Sequence, residues 1–509
     1  MNQATDSASA PAIQPRFVRA MPFAELPAGG RATVTLEANV IALFRTADRI
    51  FAVDNRCPHM GFPLDRGTVK DCILTCHWHH ARFDLHSGGG FDTWADDVRA
   101  FPTKLEAGAI WIDLANHRDL RRHRIERLRD GIERNISLVI GKSVIAMLDD
   151  GGDARDAFRI GLEFGTRYRR DGWGAGLTVL TCMMNLLPAL RPEDRARAMF
   201  HGLSAVASDT DGNPPRFAMH PLPGAGATLA EIKRWLREFV EVRDSEGAER
   251  CIVSAVRIGA SPREVADMMF AAATDHRYLD GGHVLDFTNK AFEALDHAGW
   301  DLAEPVLASL ARSFATGARM EESNSWRNPI DLVAILESAF ESIPDALRAG
   351  EHTAPKWRDR ERLVQTFLAD DPNAIVDDML GALRLGCTPA DLAGAVAYAA
   401  ALRVARFPVS NEFGDWDTAH HSFTFANAVH QAVRRVASPE LVRAIFDAAM
   451  TVYLDRFLNV PPAKLPTTNG SHATAAEWLA KLPPLLDRQQ QVNQAGALVA
   501  EYLAAAGDA

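Results

Sequence analysis

Apolar and polar positions alternate along the chain from Arg16 onward. In ATVTLEANVIALFRT (Ala32 to Thr46) and RIFAVDN (Arg49 to Asn55) β-branched residues recur with a period of two, which predicts strands. FDTWADDVRAFPTKLEAGAIWIDL (Phe91 to Leu114) reads as a closing set of strands. Beyond it apolar residues recur at helical spacing, with Ala, Leu and Arg abundant, almost to the last residue. The pattern predicts a multidomain chain, with an N-terminal all-β domain followed by a large all-α domain. We divide it into a small polar tail at 1–14, expected to be disordered, a β domain at 15–115, a basic helical linker at 116–150 and an all-α region at 151–509.

The all-α region carries an internal duplication. GASPREVADMMFAAA (Gly259 to Ala273) matches GCTPADLAGAVAYAA (Gly386 to Ala400), and each is followed by a helix expected to open on histidine, His283 in one copy and His421 in the other. Pro192 and Pro439 open a further matching pair. The period exceeds that of ordinary solenoids, so duplicated multi-helix units describe it better. In the linker, HRDLRRHRIERLRDGIER (His117 to Arg134) reads either as a docking surface for an acidic partner or as a solvated helix paired with its own Glu and Asp residues.

Composition narrows the possible partners. With 509 residues, 47% hydrophobic residues and a net charge of −11, the chain has ample core and does not suit nucleic acid as a general partner. Its longest nearly apolar stretch, Gly176 to Leu190, is interrupted by Thr178, Thr181 and Asn185 and is too short to span a bilayer. No signal-peptide pattern opens the chain, and six cysteines do not make a disulfide framework. The expectation is a cytoplasmic protein with no membrane or nucleic-acid partner; the oligomeric state stays open.

The chemistry is concentrated in two short boxes, Cys57-Pro58-His59 and Cys76-His77-Trp78-His79, with sixteen residues between them. Two thiolates and two imidazoles are the ligand set of a Rieske [2Fe–2S] centre, in which two histidines replace two cysteines on one iron. The expected assignment is Cys57 and Cys76 on one iron, His59 and His79 on the other, one cluster per chain. A Cys₂His₂ zinc site is the rival, but zinc ribbons and fingers usually pair Cys with Cys and His with His.

The stretch CPHMGFPLDRG through VKDCILTCHWHHARFDLHSGG, Cys57 to Gly89, resembles the Rieske domain of bacterial ferredoxins and ring-hydroxylating oxygenases. His77 stands where that family commonly has proline, and His80 where it commonly has glycine. Respiratory Rieske proteins carry an extra cysteine in each box; Phe62 and Trp78 hold those places here, and Cys72 is out of register, read as a buried thiol. Ala81 replaces a serine frequent in the respiratory proteins. The resemblance implies the soluble, low-potential class.

Rieske oxygenases keep a mononuclear iron on a D/N-x-x-H-x(3–4)-H motif. Asp417-Thr-Ala-His420 begins it correctly, but no second histidine follows at the required spacing. His283 and His421, at equivalent repeat positions, are the remaining candidates for catalysis. They can join a carboxylate to bind an additional iron, act on an organic substrate without metal, or simply pack helix starts. Trp173, Trp300, Trp326 and Trp416 near helix junctions suit an aromatic pocket or the core. Through amphipathic helices such as HHSFTFANAV (His420 to Val429), the region also resembles the questin-oxidase-like family, associated with Baeyer–Villiger-type oxidation.

Together these readings give a monooxygenase-like oxidoreductase. Its cluster takes single electrons from a separate reductase or ferredoxin and relays them to a site in the helical region, where a hydrophobic or aromatic molecule is oxygenated. No glycine-rich dinucleotide fingerprint is present in the sequence. The alternatives are a non-catalytic electron carrier with a helical docking scaffold, and a redox or iron sensor.

Overall fold

The computed structural model describes residues 14–507 apart from 47–48, 116–118, 150, 170, 224–225, 352–356, 409–410, 470–472 and 489–490; the tail expected at 1–14 lies, except for Gln14, outside the described residues. Among the described residues ten strands come first: β1 (Phe17–Pro22), β2 (Arg31–Leu36), β3 (Asn39–Thr46), β4 (Arg49–Asp54), β5 (Thr68–Lys70), β6 (Ile73–Thr75), β7 (Arg82–Asp84), β8 (Ala100–Phe101), β9 (Thr103–Glu106) and β10 (Ala109–Asp113). They form three antiparallel sheets, ordered β1-β10-β9, β2-β3-β4-β8 and β5-β6-β7.

The uninterrupted apolar run Ile41-Ala42-Leu43-Phe44 in β3 follows from burial on both faces. Successive side chains of a strand point to opposite sides. Ile41 and Leu43 enter a core with Leu26, Phe101, Ile110 and Ile112, while Ala42 and Phe44 enter another with Leu64, Leu74, Phe83, Cys57 and Cys76. β4 divides in the same way, Ala52 to the first core and Phe51 and Val53 to the second. The second core is the floor on which both cysteine boxes rest.

Among the described residues twenty α-helices follow: α1 (Leu120–Glu133), α2 (Ser137–Asp149), α3 (Ala154–Tyr168), α4 (Ala175–Leu186), α5 (Pro192–Thr210), α6 (Leu229–Glu241), α7 (Ser245–Arg257), α8 (Pro262–Ala273), α9 (His283–Ala298), α10 (Ala303–Ala308), α11 (Ala311–Thr316), α12 (Asn324–Arg327), α13 (Leu332–Glu351), α14 (Arg360–Leu368), α15 (Pro372–Arg384), α16 (Pro389–Ala405), α17 (Phe413–Arg435), α18 (Pro439–Leu454), α19 (Ala475–Leu486) and α20 (Val492–Ala506). No helix among the described residues is long and apolar enough to cross a membrane. The chain divides into two compact units, Met1–Ala218 with Glu293–Ser309, and Met219–Phe292 with Leu310–Ala509.

In the first unit α1–α5 pack on one another, and α1 and α2 reach the β domain. α1 starts where the Asp119 side chain accepts from the Arg122 amide. The arginines of α1 meet acids: Arg122 pairs with Glu126, Arg121 with Asp156 and Arg129 with Glu163. His123 reaches Asp96 of the β domain at 3.0 Å, and Arg127 donates to the Thr93 carbonyl at 2.7 Å. This basic segment is therefore an ion-paired helix fastened to the β domain, with residues 117–118 outside the described set. α4 and α5 approach closely at Gly202, where a Cβ would sit 2.7 Å from Leu180 Cα. The returning segment supplies the Ala298 carbonyl to Arg155 and Arg159, and the Ser309 carbonyl to the Trp173 amide.

In the second unit the duplicated segments share their backbone geometry. Gly259 and Gly386 adopt φ of 80° and 83°. Their amides donate to Val256 and Leu383, and the next amides, Ala260 and Cys387, reach back to Ala255 and Ala382. Ser261 and Thr388 then cap α8 and α16, each with proline at its first turn. The copies differ further on. His283 opens α9 as expected, but His421 lies inside α17, because the turns from Phe413 continue into it without a break.

Candidate metal centre

The first box lies in the loop after β4, the second in the loop joining β6 to β7. The two loops repeat one design. The Cys57 amide donates to the Phe62 carbonyl and the Gly61 amide to the Cys57 carbonyl, both at 2.8 Å. The Cys76 amide donates to the Ala81 carbonyl at 2.8 Å and the His80 amide to the Cys76 carbonyl at 3.0 Å. In each loop the fourth residue after the cysteine is left-handed, Gly61 at φ 85° and His80 at φ 64°. Glycine takes that conformation freely, whereas His80 holds it against a steric penalty.

These turns bring the four expected ligands together. Cys57 and Cys76 are buried and adjacent. The rings of His59 and His79 meet edge to face with centroids 4.7 Å apart. Burial, reinforced by the neighbouring Cys76, pushes the Cys57 thiol up to about 11. A thiolate there needs a cation beside it, which an iron supplies. Burial, with His79 and Lys142 nearby, lowers the His59 pKa and favours the neutral, metal-binding imidazole. Nδ1 of His59 is buried without a hydrogen-bond partner. An orphaned imidazole nitrogen, a second imidazole beside it and two buried thiols on the same two loops fit the donor set of a [2Fe–2S] centre.

The flanking residues sort themselves by contact. His77 is exposed and its Nε2 lies 3.3 Å from Thr68 Oγ1. Phe62 and Trp78 face one another with ring centroids 6.1 Å apart. Cys72 is half-buried at the edge of the core, with a left-handed backbone at φ 61°, rather than buried as expected.

Two residues beside the centre carried no signal in the sequence. Trp94 packs edge-on against His59 with centroids 4.7 Å apart. Lys142, in α2 and outside the β domain, donates from Nζ to the Pro58 carbonyl at 2.6 Å and to the His59 carbonyl. A lysine more than eighty positions away along the chain has no local pattern that could announce it.

In the second unit His283 and His421 face each other edge to face, with centroids 4.7 Å apart. Burial lowers the His283 pKa, and His421 adds to it. Among the described residues no carboxylate joins this pair to close a three-donor group within 4.8 Å; the donors that do close are Asp96, Asp97 and His123, where His123 already hydrogen-bonds Asp96. Among the described residues the His283–His421 pair, the candidate for an additional iron, thus has no third donor within that distance. Of the four tryptophans, Trp173 is buried with its Nε1 donating to Thr178 Oγ1, and Trp326 is buried beside Tyr278.

Residues 16–102 match the Rieske [2Fe-2S] domain family. The 3-phenylpropionate/cinnamic acid dioxygenase ferredoxin subunit of Escherichia coli (strain K12) is 31% identical over 99 residues, 19% of this chain and 92% of that protein. The naphthalene 1,2-dioxygenase system ferredoxin component of Pseudomonas aeruginosa is 28% identical over 101 residues, 20% of this chain and 97% of its own length. The solved Sphingomonas yanoikuyae B1 ferredoxin aligns over 20% of this chain and 100% of its own, at 24% identity and a TM-score of 0.19. The family match ends at residue 102, and the likeness of the helical region to the questin-oxidase-like family rests on sequence alone. The mirrored loops, their donor set and these relatives agree: through residues 16–102 the chain belongs to the Rieske [2Fe–2S] family and carries that cluster.

Proposed function

We propose that the chain is an oxidoreductase. Cys57 and Cys76 hold one iron of the cluster, and His59 and His79 the other. The chain takes single electrons from a separate reductase and relays them to an oxygenation site in its own helical region. The bound cluster supplies one-electron transfer. The observation that carries the reading is the asymmetry of the centre. Both cysteines are buried while His79 is exposed, so the protein shields the sulfur side and leaves an imidazole edge for a redox partner. The relatives named for dioxygenase systems support oxygenation as the use of these electrons. His283 and His421 are the proposed catalytic pair; burial keeps His283 neutral and able to accept a proton.

A second reading is favoured by the same relatives, which are ferredoxin components matched over nearly their whole length. In that reading the chain is a carrier, and the helices form a docking scaffold for a separate oxygenase. Chemical reduction of the holoprotein followed by air, with and without naphthalene, separates the two. Oxygenated product formed by this chain alone supports the oxidoreductase, and reoxidation without product by the chain alone refutes it in favour of the carrier.

A further inference from the structure

The two imidazoles of the cluster site are held in different ways. The ring of His79 lies beside Trp78 of its own loop, with centroids 4.6 Å apart, and both residues are exposed. His59 is half-buried, and its ring meets those of His79 and Trp94, each edge to face with centroids 4.7 Å apart. The last torsion of a histidine has only a broad preference of its own, so neighbouring groups decide the plane of the ring. For His59 the aromatic neighbour from outside the two boxes is Trp94, and it sits in residues 91–97, a stretch with neither helix nor strand.

α1 holds that stretch on either side of Trp94. Arg127 donates to the Thr93 carbonyl at 2.7 Å, and His123 Nε2 lies 3.0 Å from Asp96 Oδ1, which Arg127 Nε also approaches at 3.6 Å. The Arg127 side chain is 12% exposed, so its bond lies largely away from water, where it is stronger. α2 packs on α1 and reaches the same histidine through its backbone, where Lys142 donates to the Pro58 and His59 carbonyls. The turn between the two helices is closed by the Ile136 amide donating to the Gly131 carbonyl at 2.9 Å. One helical hairpin thus touches the surroundings of His59 at two points: the loop that carries its ring neighbour, and its own main chain. His123, Arg127 and Lys142 all lie beyond residues 16–102, the part of the chain that matches the Rieske family.

We propose that the α1–α2 hairpin is a positioning device for His59, with Arg127 acting through Trp94 on the plane of the ring and Lys142 acting on the backbone that carries it. The inference rests on the assignment of His59 as an iron ligand. Groups beyond the ligands commonly fix the orientation of a metal-binding histidine and so tune the metal. Here the support is a packed indole and a cation on two carbonyls, and both are held by helices outside the β domain. His79, exposed beside Trp78 of its own loop, stays outside the device. The plane of one ligand therefore depends on the helical hairpin, and the plane of the other does not.

Pulsed electron paramagnetic resonance on the reduced holoprotein tests the device, because it resolves the couplings of the two ligating histidine nitrogens. Arg127→Met and Trp94→Ala should each shift one of the two couplings and leave the other at its wild-type value. Lys142→Met should shift the same one. Trp94→Phe keeps an aromatic edge against His59 and should hold both couplings at wild type. Arg122→Met, on the exposed side of α1 where Arg122 pairs with Glu126, should change neither. Arg127→Met leaves the core of the β domain intact and serves if Trp94→Ala does not assemble the cluster. Unchanged couplings in Arg127→Met, a shift of both together, or an equal shift in Arg122→Met overturns the inference. A general loosening of the fold moves both couplings, so it does not imitate the expected result. His59→Ala separates the device from the assignment beneath it. A cluster that keeps both couplings in His59→Ala refutes the ligand assignment. Loss of one coupling or of the cluster upholds the assignment, and the Arg127→Met result then decides the positioning role.

Discussion

Arg277 sets up a sharp test of how the second unit is held. Its NH1 lies 3.1 Å from Asp447 Oδ1, and the two residues are 6% and 1% exposed. The guanidinium also donates to the Thr274 and Asp275 carbonyls and sits over the Phe340 ring at 4.5 Å. Arg277→Met removes the cation and strips a buried acid of its partner, which costs up to about 3–5 kcal/mol at alkaline pH, where the carboxyl is ionised, and less near neutrality, where it can take up a proton. Asp447→Asn leaves Arg277 with its carbonyl and aromatic contacts, so its cost is about 1 kcal/mol. Burial already pushes the Asp447 carboxyl up to about 7 despite Arg277. A raised acid binds its proton more tightly folded than unfolded. The contribution of Asp447 to stability therefore rises as pH falls through about 7 toward the unfolded pKa. In Arg277→Met the carboxyl rises further, so recovery on acidification is larger and begins at higher pH; in Asp447→Asn this contribution disappears. Urea unfolding followed by far-UV circular dichroism at about pH 8 and about pH 5 reads all three proteins. Equal losses in the two variants at the higher pH, or an Arg277→Met deficit that does not shrink on acidification, would refute the reasoning.

Lys142→Met should move the cluster potential to more negative values by on the order of 1 kcal/mol, about 40 mV for one electron, while Lys142→Arg holds it near wild type; an unchanged potential in redox titration removes Lys142 from the cluster's electrostatics. His80→Gly relieves a left-handed histidine and should stabilise the second loop by about 1 kcal/mol, seen as slower loss of cluster colour in urea; faster loss contradicts the strain argument. Cys57→Ser and Cys76→Ser should abolish the Rieske absorption and paramagnetic signals, whereas Cys72→Ser leaves them intact. Loss of the signals in Cys72→Ser would give that half-buried thiol a role its position does not suggest.

The β domain was legible because its signals are local. A period of two in β3 and β4, and mixed Cys–His boxes at fixed spacing, are written within a few residues of where they act. The duplication was legible for the same reason, since Gly259 and Gly386 mark identical helix ends. The rest of the candidate chemistry depends on contacts that only tertiary structure makes. Lys142 reaches His59 from another element, and His283 and His421 meet from two different helices. His421 was misjudged as a helix opener because repeat alignment cannot tell that α17 starts earlier, at Phe413.

The first unit closes only when the chain returns to it. Ala298 and Ser309 supply carbonyls to Arg155, Arg159 and Trp173, and Asp301 pairs with Arg159. A ribosome must add about 91 residues beyond Ala218 before Ser309 exists. At cellular rates that is roughly 5–20 s during which the unit carrying the cysteine boxes is an unfinished host for its own insertion. During that interval Arg155 and Arg159 of α3, and the Trp173 amide ahead of α4, wait without the Ala298 and Ser309 carbonyls. A fragment ending at Ala218 stays in that state permanently, whatever the quality of its β domain.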